Sequence, residues 1–278
     1  MSKTASSPIT PEAPAGTLRA GLADIGAGLA RWPFWWTLTW YSVRSQYRRT
    51  YLGPWWITMQ MLVFVIGLSL LFGILLHQDM RSFVPYVALG FVGFSWMTGM
   101  IQAGSTSMVN NSTAIKTTPG PLSVFALQVF ARQTIQFGHD CVVVVIIIIV
   151  FAVPLNASLV VLPLALLLIA INGIVGSLWL GPLVARYRDV GQIVASILRV
   201  LFFFTPVFWV TTDLSRAQLA AIAGWNPLAY LLDLFRDPLL GQWPTTAVIV
   251  GSLVSTALNV IIGLAYFSRS RNRVAYWL

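Results

Sequence analysis

The sequence predicts an all-α integral membrane protein with six transmembrane helices, and three observations carry that expectation. Hydrophobic residues make up 57% of the chain and charged residues 9%, against ~25% charged in soluble domains. Apolar runs long enough to cross a bilayer recur along the chain, separated by short basic or Pro/Gly-containing segments. The net charge of +9 is concentrated beside those runs, which is the pattern of orientation in a membrane and not of nucleic-acid binding.

Taken in order, residues 1–30 are rich in Ser, Pro, Ala and Gly, with Lys3 and Arg19. They lack an early apolar region and cleavage site and read as a mobile cytoplasmic tail. Residues 31–53 read as an amphipathic interface helix. Trp36, Trp40, Val43 and Tyr47 share one face at helical spacing, with Arg44 and Arg48 beside it. Such a helix lies in the headgroup plane, aromatic side down and guanidinium groups toward phosphate.

Residues 54–278 form the six-span domain. Gly53-Pro54 is a hinge, and Pro54 suits the first turn of a helix. Span one covers 54–76, and a short link carries Asp79 and Arg81. Span two covers about 83–106, and the polar cytoplasmic link SMVNNSTAIKTT follows, ending at Pro119-Gly120-Pro121. Span three lies within 122–153, which is long enough to tilt or emerge at its start. Span four covers about 158–183, the charged loop Arg186–Asp189 comes next, and span five runs over 190–210 with Arg199 near its middle. Residues 211–244 contain two apolar pieces too short to cross, joined by Gly224-Trp225-Asn226-Pro227. They read as an extracellular re-entrant helical hairpin. Span six covers about 245–267 and ends in the basic tail SRSRNRVAYWL.

Positive-inside counting orients the chain. With both termini cytoplasmic, the inner segments hold twelve Lys and Arg residues and the outer ones only Arg81, Arg216 and Arg236. An even number of spans agrees with that.

The residue inventory removes several functions. No G-x-x-x-x-G-K-[ST] occurs, so this polypeptide carries no P-loop for ATP. His77 and His139 are the only histidines and Cys141 the only cysteine, which leaves no metal site and no disulfide framework. Asp140 is the one acidic residue well inside a span, which is poor equipment for an ion-coupled carrier. No recognisable catalytic pair is present.

The segment Tyr47-Arg48-Arg49-Thr50-Tyr51-Leu52-Gly53-Pro54-Trp55-Trp56 resembles the signature of the permease subunits of bacterial ABC-type polysaccharide exporters, of the ABC-2 type. These export O-antigen, capsule, teichoic acid or mycobacterial galactan. RYRD at 186–189, FFTPVF at 203–208, Asn226-Pro227-Leu228 and RDPLLG at 236–241 continue the resemblance in the family's order. The chain departs from the family at Ser42, where relatives often carry an acidic residue, and in its Thr-rich link ending in PGP.

The resemblance implies a permease in the bacterial cytoplasmic (inner) membrane that pairs with a second copy of itself and two copies of an ABC nucleotide-binding subunit. ATP and Mg would be bound by that partner, with no cofactor in this chain. The substrate would be a polyprenyl-linked glycan; the alternative is a drug or lipid exported by the same architecture. Asn110, Asn111, Ser112, Thr113, Ala114, Ile115, Lys116 and Thr117 are the candidate ATPase-coupling element, against a plain solvated loop. Arg44, Tyr47, Arg48 and Arg49 are candidates for lipid headgroup or pyrophosphate contact, against charge placed for topology alone. Arg199, Trp55, Trp56, Phe203, Phe204 and Trp209 are conduit candidates. For Arg199 the competing expectation is an ion pair with Asp140.

Overall fold

The computed structural model describes residues 17–48, 51, 53, 55–209, 215, 218 and 222–278. Among these every regular element is helical. Five helices are long and apolar enough to cross a bilayer: Trp55–Leu75 (α3), Met80–Asn110 (α4), Ser123–Val150 (α6), Leu162–Arg186 (α7, with a lead-in turn from Ala157) and Thr246–Ser270 (α10). The helices Leu18–Ala30 (α1), Trp32–Gln46 (α2), Ser112–Thr117 (α5), Asp189–Phe204 (α8), Pro227–Leu239 (α9) and Val274–Trp277 (α11) complete them.

The bundle is built around α4, which packs against α7, α6, α3, α9 and α8. Small residues allow the close approach of α4 and α7: Gly104 faces Ser177, Gly173 faces Met100, and Gly181 faces Met108. In lipid, where apolar burial gives little preference for one helix over a lipid tail, such tight contacts and interhelical hydrogen bonds hold helices together. The α7–α10 seam adds the second kind. Asn259 Nδ2 donates to Asn172 Oδ1 at 3.0 Å, Asn172 Nδ2 donates to Thr256 Oγ1 at 2.6 Å, and Trp179 Nε1 donates to Asn259 Oδ1 at 3.0 Å.

Residues 18–30 differ from the expected mobile tail. They form α1, capped by Thr17, whose Oγ1 accepts from Ala20 N at 3.3 Å. Asp24 explains the order: its buried carboxylate accepts the backbone N–H groups of Leu122 and Ser123 at 3.3 and 3.0 Å, capping the start of α6. Arg271 Nη2 approaches the same carboxylate at 3.5 Å. This end of the bundle has its own apolar cluster, where Met108, Ala126, Leu178, Ala185, Phe267 and Val274 meet Ile25, Ile115 and Trp277.

Two further expectations change. The polar link after span two is largely helical, because α4 continues unbroken through Ser107–Asn110 and α5 follows after Asn111. The expected fifth span is short: α8 has 16 residues, ~24 Å at 1.5 Å per residue, against a hydrocarbon core of ~30 Å. Helix α8 stops at Phe204, two residues before Pro206. Pro206 lacks an N–H, and a residue preceding proline is disfavoured in the helical region. Of the expected hairpin, much of the first arm lies outside the described residues. The second arm is α9, which is packed into the bundle against α4, α7 and α10, burying Leu228, Leu231, Leu232, Leu234, Phe235 and Leu239. Helix α2 begins with Pro33 in its first turn, packs on α6, and buries only Thr39. Gly241 has φ +74°, and a Cβ there would run into the carbonyl oxygen of Pro154, so the turn after α9 requires glycine.

Candidate functional site

A groove of about 570 Å³ runs between α3, α4 and α8. On α4 its wall is Phe91, Phe94, Ser95, Thr98 and Gln102, residues that recur every three or four positions and so share one helix face. Helix α8 contributes Leu198, Arg199 and Phe202, and α3 contributes Phe64. The rings brace one another: Phe64 stacks on Phe91 with centroids 4.3 Å apart, and Phe202 sits edge-on to Phe91 at 6.1 Å and to Phe94 at 5.5 Å. The groove is therefore mainly aromatic and aliphatic, with Ser95, Thr98, Gln102 and Arg199 as its polar groups.

Arg199 is the cation of this groove. Its side chain is exposed and turns back on its own helix, Nε donating to Ala195 O at 3.2 Å and Nη2 to Ser196 Oγ at 3.3 Å. It forms no ion pair among the described residues. The expected partner Asp140 is not brought to it. Asp140 is buried in α6 with Oδ1 unpartnered, whereas α8 packs against α4 and α7. A charge on an apolar helix is tolerated where it faces water or a partner. Helix α8 buries none of its residues, and Ile193, Ile197, Val200, Phe203 and Phe204 are exposed along it.

The other conduit candidates do not share the groove. Phe203 and Phe204 lie at the end of α8, where Trp209 Nε1 donates to Phe203 O at 3.1 Å and Phe204 meets Trp225 at 5.7 Å between centroids. Trp55 and Trp56 are exposed at the start of α3. The groove aromatics Phe64, Phe91, Phe94 and Phe202 were not singled out from sequence. The regular spacing of Phe91, Phe94, Ser95, Thr98 and Gln102 was the signal that could have found them.

The candidate coupling residues form the helical α4–α5 corner. Asn111 Nδ2 donates to Ser107 O at 2.8 Å, and Asn110 Nδ2 donates to Thr106 Oγ1 at 3.3 Å. Ser112 and Ala114 are half-buried, while Thr113, Lys116 and Thr117 are exposed. Ile115 anchors α5 in the apolar cluster shared by α1, α4, α6, α7 and α10. Of the basic aromatic group, Arg44 and Arg48 are exposed and Tyr47 is half-buried. Burial raises the Tyr47 hydroxyl above its ordinary pKa, opposed by the charge of Arg132. Arg49 lies outside the described residues.

At the opposite end of the bundle, the residue counted as an outer charge, Arg236, is buried at 1% exposure. It lies 3.7 Å over the Tyr86 ring, pairs with Asp233, and donates to the carbonyl oxygen of Pro206. It thus ties α9 to α4 and to the segment that ends α8.

The sequence profile of the ABC-2 type transporters matches residues 33–240, spanning the groove, the α4–α5 corner and the Arg236 tie. The chain belongs to the ABC-2 type transporter family. Two relatives from Klebsiella pneumoniae, each called O-antigen export system permease protein RfbA, are 22% identical over 238 and 242 residues. In both cases the match covers 84% of this chain and 90% of the relative. A Myxococcus xanthus protein of the same name is 20% identical over 200 residues, covering 70% of this chain and 75% of its own length. This ABC-2 chain is accordingly a multi-pass membrane protein, and its all-helical bundle is the scaffold on which the groove is placed.

Proposed function

We propose that this ABC-2 chain is the transmembrane subunit of an ATP-driven polysaccharide exporter and that the α3–α4–α8 groove is one wall of its glycan conduit. The O-antigen export permeases that resemble it over most of their length support the substrate class. The observation that carries the assignment of the groove is Arg199, an exposed cation without an ion pair among the described residues, which lines the groove together with Phe202, Ser95, Thr98 and Gln102. Aromatic faces and hydroxyl groups suit sugar rings, and a guanidinium fork suits the phosphates of a lipid carrier.

In this reading the unburied α8 faces a second copy of the chain, so that two grooves close into one passage. The end carrying α1, α5 and α11 is cytoplasmic, and the partner ATPase presses on the α4–α5 corner. Ile115 carries that push into the bundle. Arg44, Tyr47 and Arg48 on the cytoplasmic side meet the lipid headgroup or pyrophosphate.

Deleting the gene in its host tests the assignment. Lipid-linked glycan should accumulate on the cytoplasmic side and disappear from the surface, as read by lectin or antibody labelling before and after permeabilisation. The wild-type gene should restore export, and Arg199→Gln should restore it poorly while inserting normally. Unchanged surface glycan in the deletion strain would remove the polysaccharide reading and leave a drug or lipid as substrate.

A further inference from the structure

A second cavity, of about 790 Å³, opens at the end of the bundle opposite α1 and α5, between the start of α4, α9 and the turn into α10. Its size falls within the ~300–1,000 Å³ of small-ligand sites. One wall is the Arg236–Asp233 pair over Tyr86, and the buried Arg236 still has its Nε without a hydrogen-bond partner. Around the mouth stand Arg81, Asp237, Gln242 and Trp243. None of these four side chains is committed to a hydrogen bond among the described residues. Donors, acceptors and an exposed indole ring therefore converge on one concave surface without satisfying one another.

We propose that this cavity is a sugar subsite that holds a pyranose ring of the glycan at its exit, an inference that rests on the exporter reading above. A pyranose presents hydroxyl groups that both donate and accept around its edge, and a C–H face that lies on an aromatic ring. Asp237 accepts, Arg81 donates, Gln242 does both, and Trp243 offers the ring. The guanidinium groups of Arg81 and Arg236 disfavour a metal cation at the same place, and the Asp233 carboxylate paired with Arg236 disfavours a phosphate. A neutral polyol meets neither penalty.

Burial pushes the Asp237 carboxyl up to about 7, with the neighbouring Asp233 adding to the shift and Arg236 opposing it. Near neutral pH the group is then partly protonated, and the protonated form can donate as well as accept, which suits a hydroxyl ligand.

The test is saturation-transfer NMR on the permease–ATPase complex in nanodiscs, with methyl β-galactopyranoside, methyl α-mannopyranoside and methyl α-rhamnopyranoside as separate probes. At least one should receive saturation from the protein, and the signal should fall in Trp243→Ala and in Asp237→Ala. Trp243 is 61% exposed, so its truncation leaves the bundle intact. Losing one hydrogen bond to the charged or protonated carboxyl should weaken binding roughly tenfold. Binding that both variants retain would place the sugar elsewhere and overturn the subsite. So would terbium luminescence sensitised by Trp243 with no glycoside signal, which would make the cavity a cation site. A wild-type complex that exports glycan yet binds none of the three probes would overturn the subsite and leave the exporter reading standing.

Discussion

The carboxylate of Asp24 accepts the backbone N–H of Ser123 at 3.0 Å and thereby fastens α1 to the first turn of α6, beside the α4–α5 corner. Ser123 returns the contact, its Oγ donating to Asp24 O at 2.8 Å. Arg271, from the segment after α10, reaches into the same junction, Nη1 donating to Ala20 O at 2.7 Å. Replacing a helix cap by alanine costs ~0.5–2 kcal/mol. Asp24→Ala should therefore lower the melting temperature of the detergent-solubilised chain, and Asp24→Asn should do so by less. An unchanged melting temperature in Asp24→Ala would show that α1 is not held by this cap.

Arg236 is a sterner case. Removing one partner of a buried ion pair costs ~3–5 kcal/mol because the other is left uncompensated. Arg236→Met and Asp233→Leu should each destabilise the chain severely, whereas the double variant should recover much of the loss. Lysine is no substitute, since it cannot lie flat on Tyr86 while also reaching Pro206 O and Asp233. Thermal melts of the wild type and these three variants measure this coupling directly.

The spans were legible because lipid imposes one simple demand, an uncharged stretch of sufficient length, and the run from Trp55 to Leu75 states it openly. Asp24 was not legible. Its meaning lies in residues 122 and 123, which nothing in a Gly/Ala-rich segment announces. The pairing of Arg199 with Asp140 failed for a related reason: charge complementarity suggests partners, but helix neighbourhood decides them, and α8 packs on α4 and α7. The break at Pro206 was written in FFTPVF, yet the apolar run continues through it and hides the end of α8. The groove was half legible, since Arg199 stood out while the phenylalanines around it looked like ordinary packing.

Stability should also depend on pH through Asp237. Its carboxyl is raised from 3.8 to about 7 by burial first and by Asp233 second, with Arg236 opposing. Between those values the folded chain holds a proton that the unfolded chain has released. Stability contributed by this group is then present below the unfolded pKa and falls as pH rises toward 7. The wild type should melt lower near pH 8 than near pH 5. Asp237→Asn should flatten that slope. A slope unaltered by Asp237→Asn would assign it to other groups.

In the proposed passage, the face of α4 carrying Ser95, Thr98 and Gln102 lines the route of the substrate. The direct measurement is thiol labelling of Thr98→Cys in a Cys141→Ser background, with a membrane-impermeant, water-soluble methanethiosulfonate, in cells exporting glycan. Leu253→Cys, at an exposed apolar position of α10, serves as the lipid-facing comparison. Thr98→Cys should be modified during export, modification should slow export, and glycan trapped in the complex by ATPase arrest should protect the thiol. Labelling of Thr98→Cys no faster than that of Leu253→Cys, both at rest and during export, would contradict it.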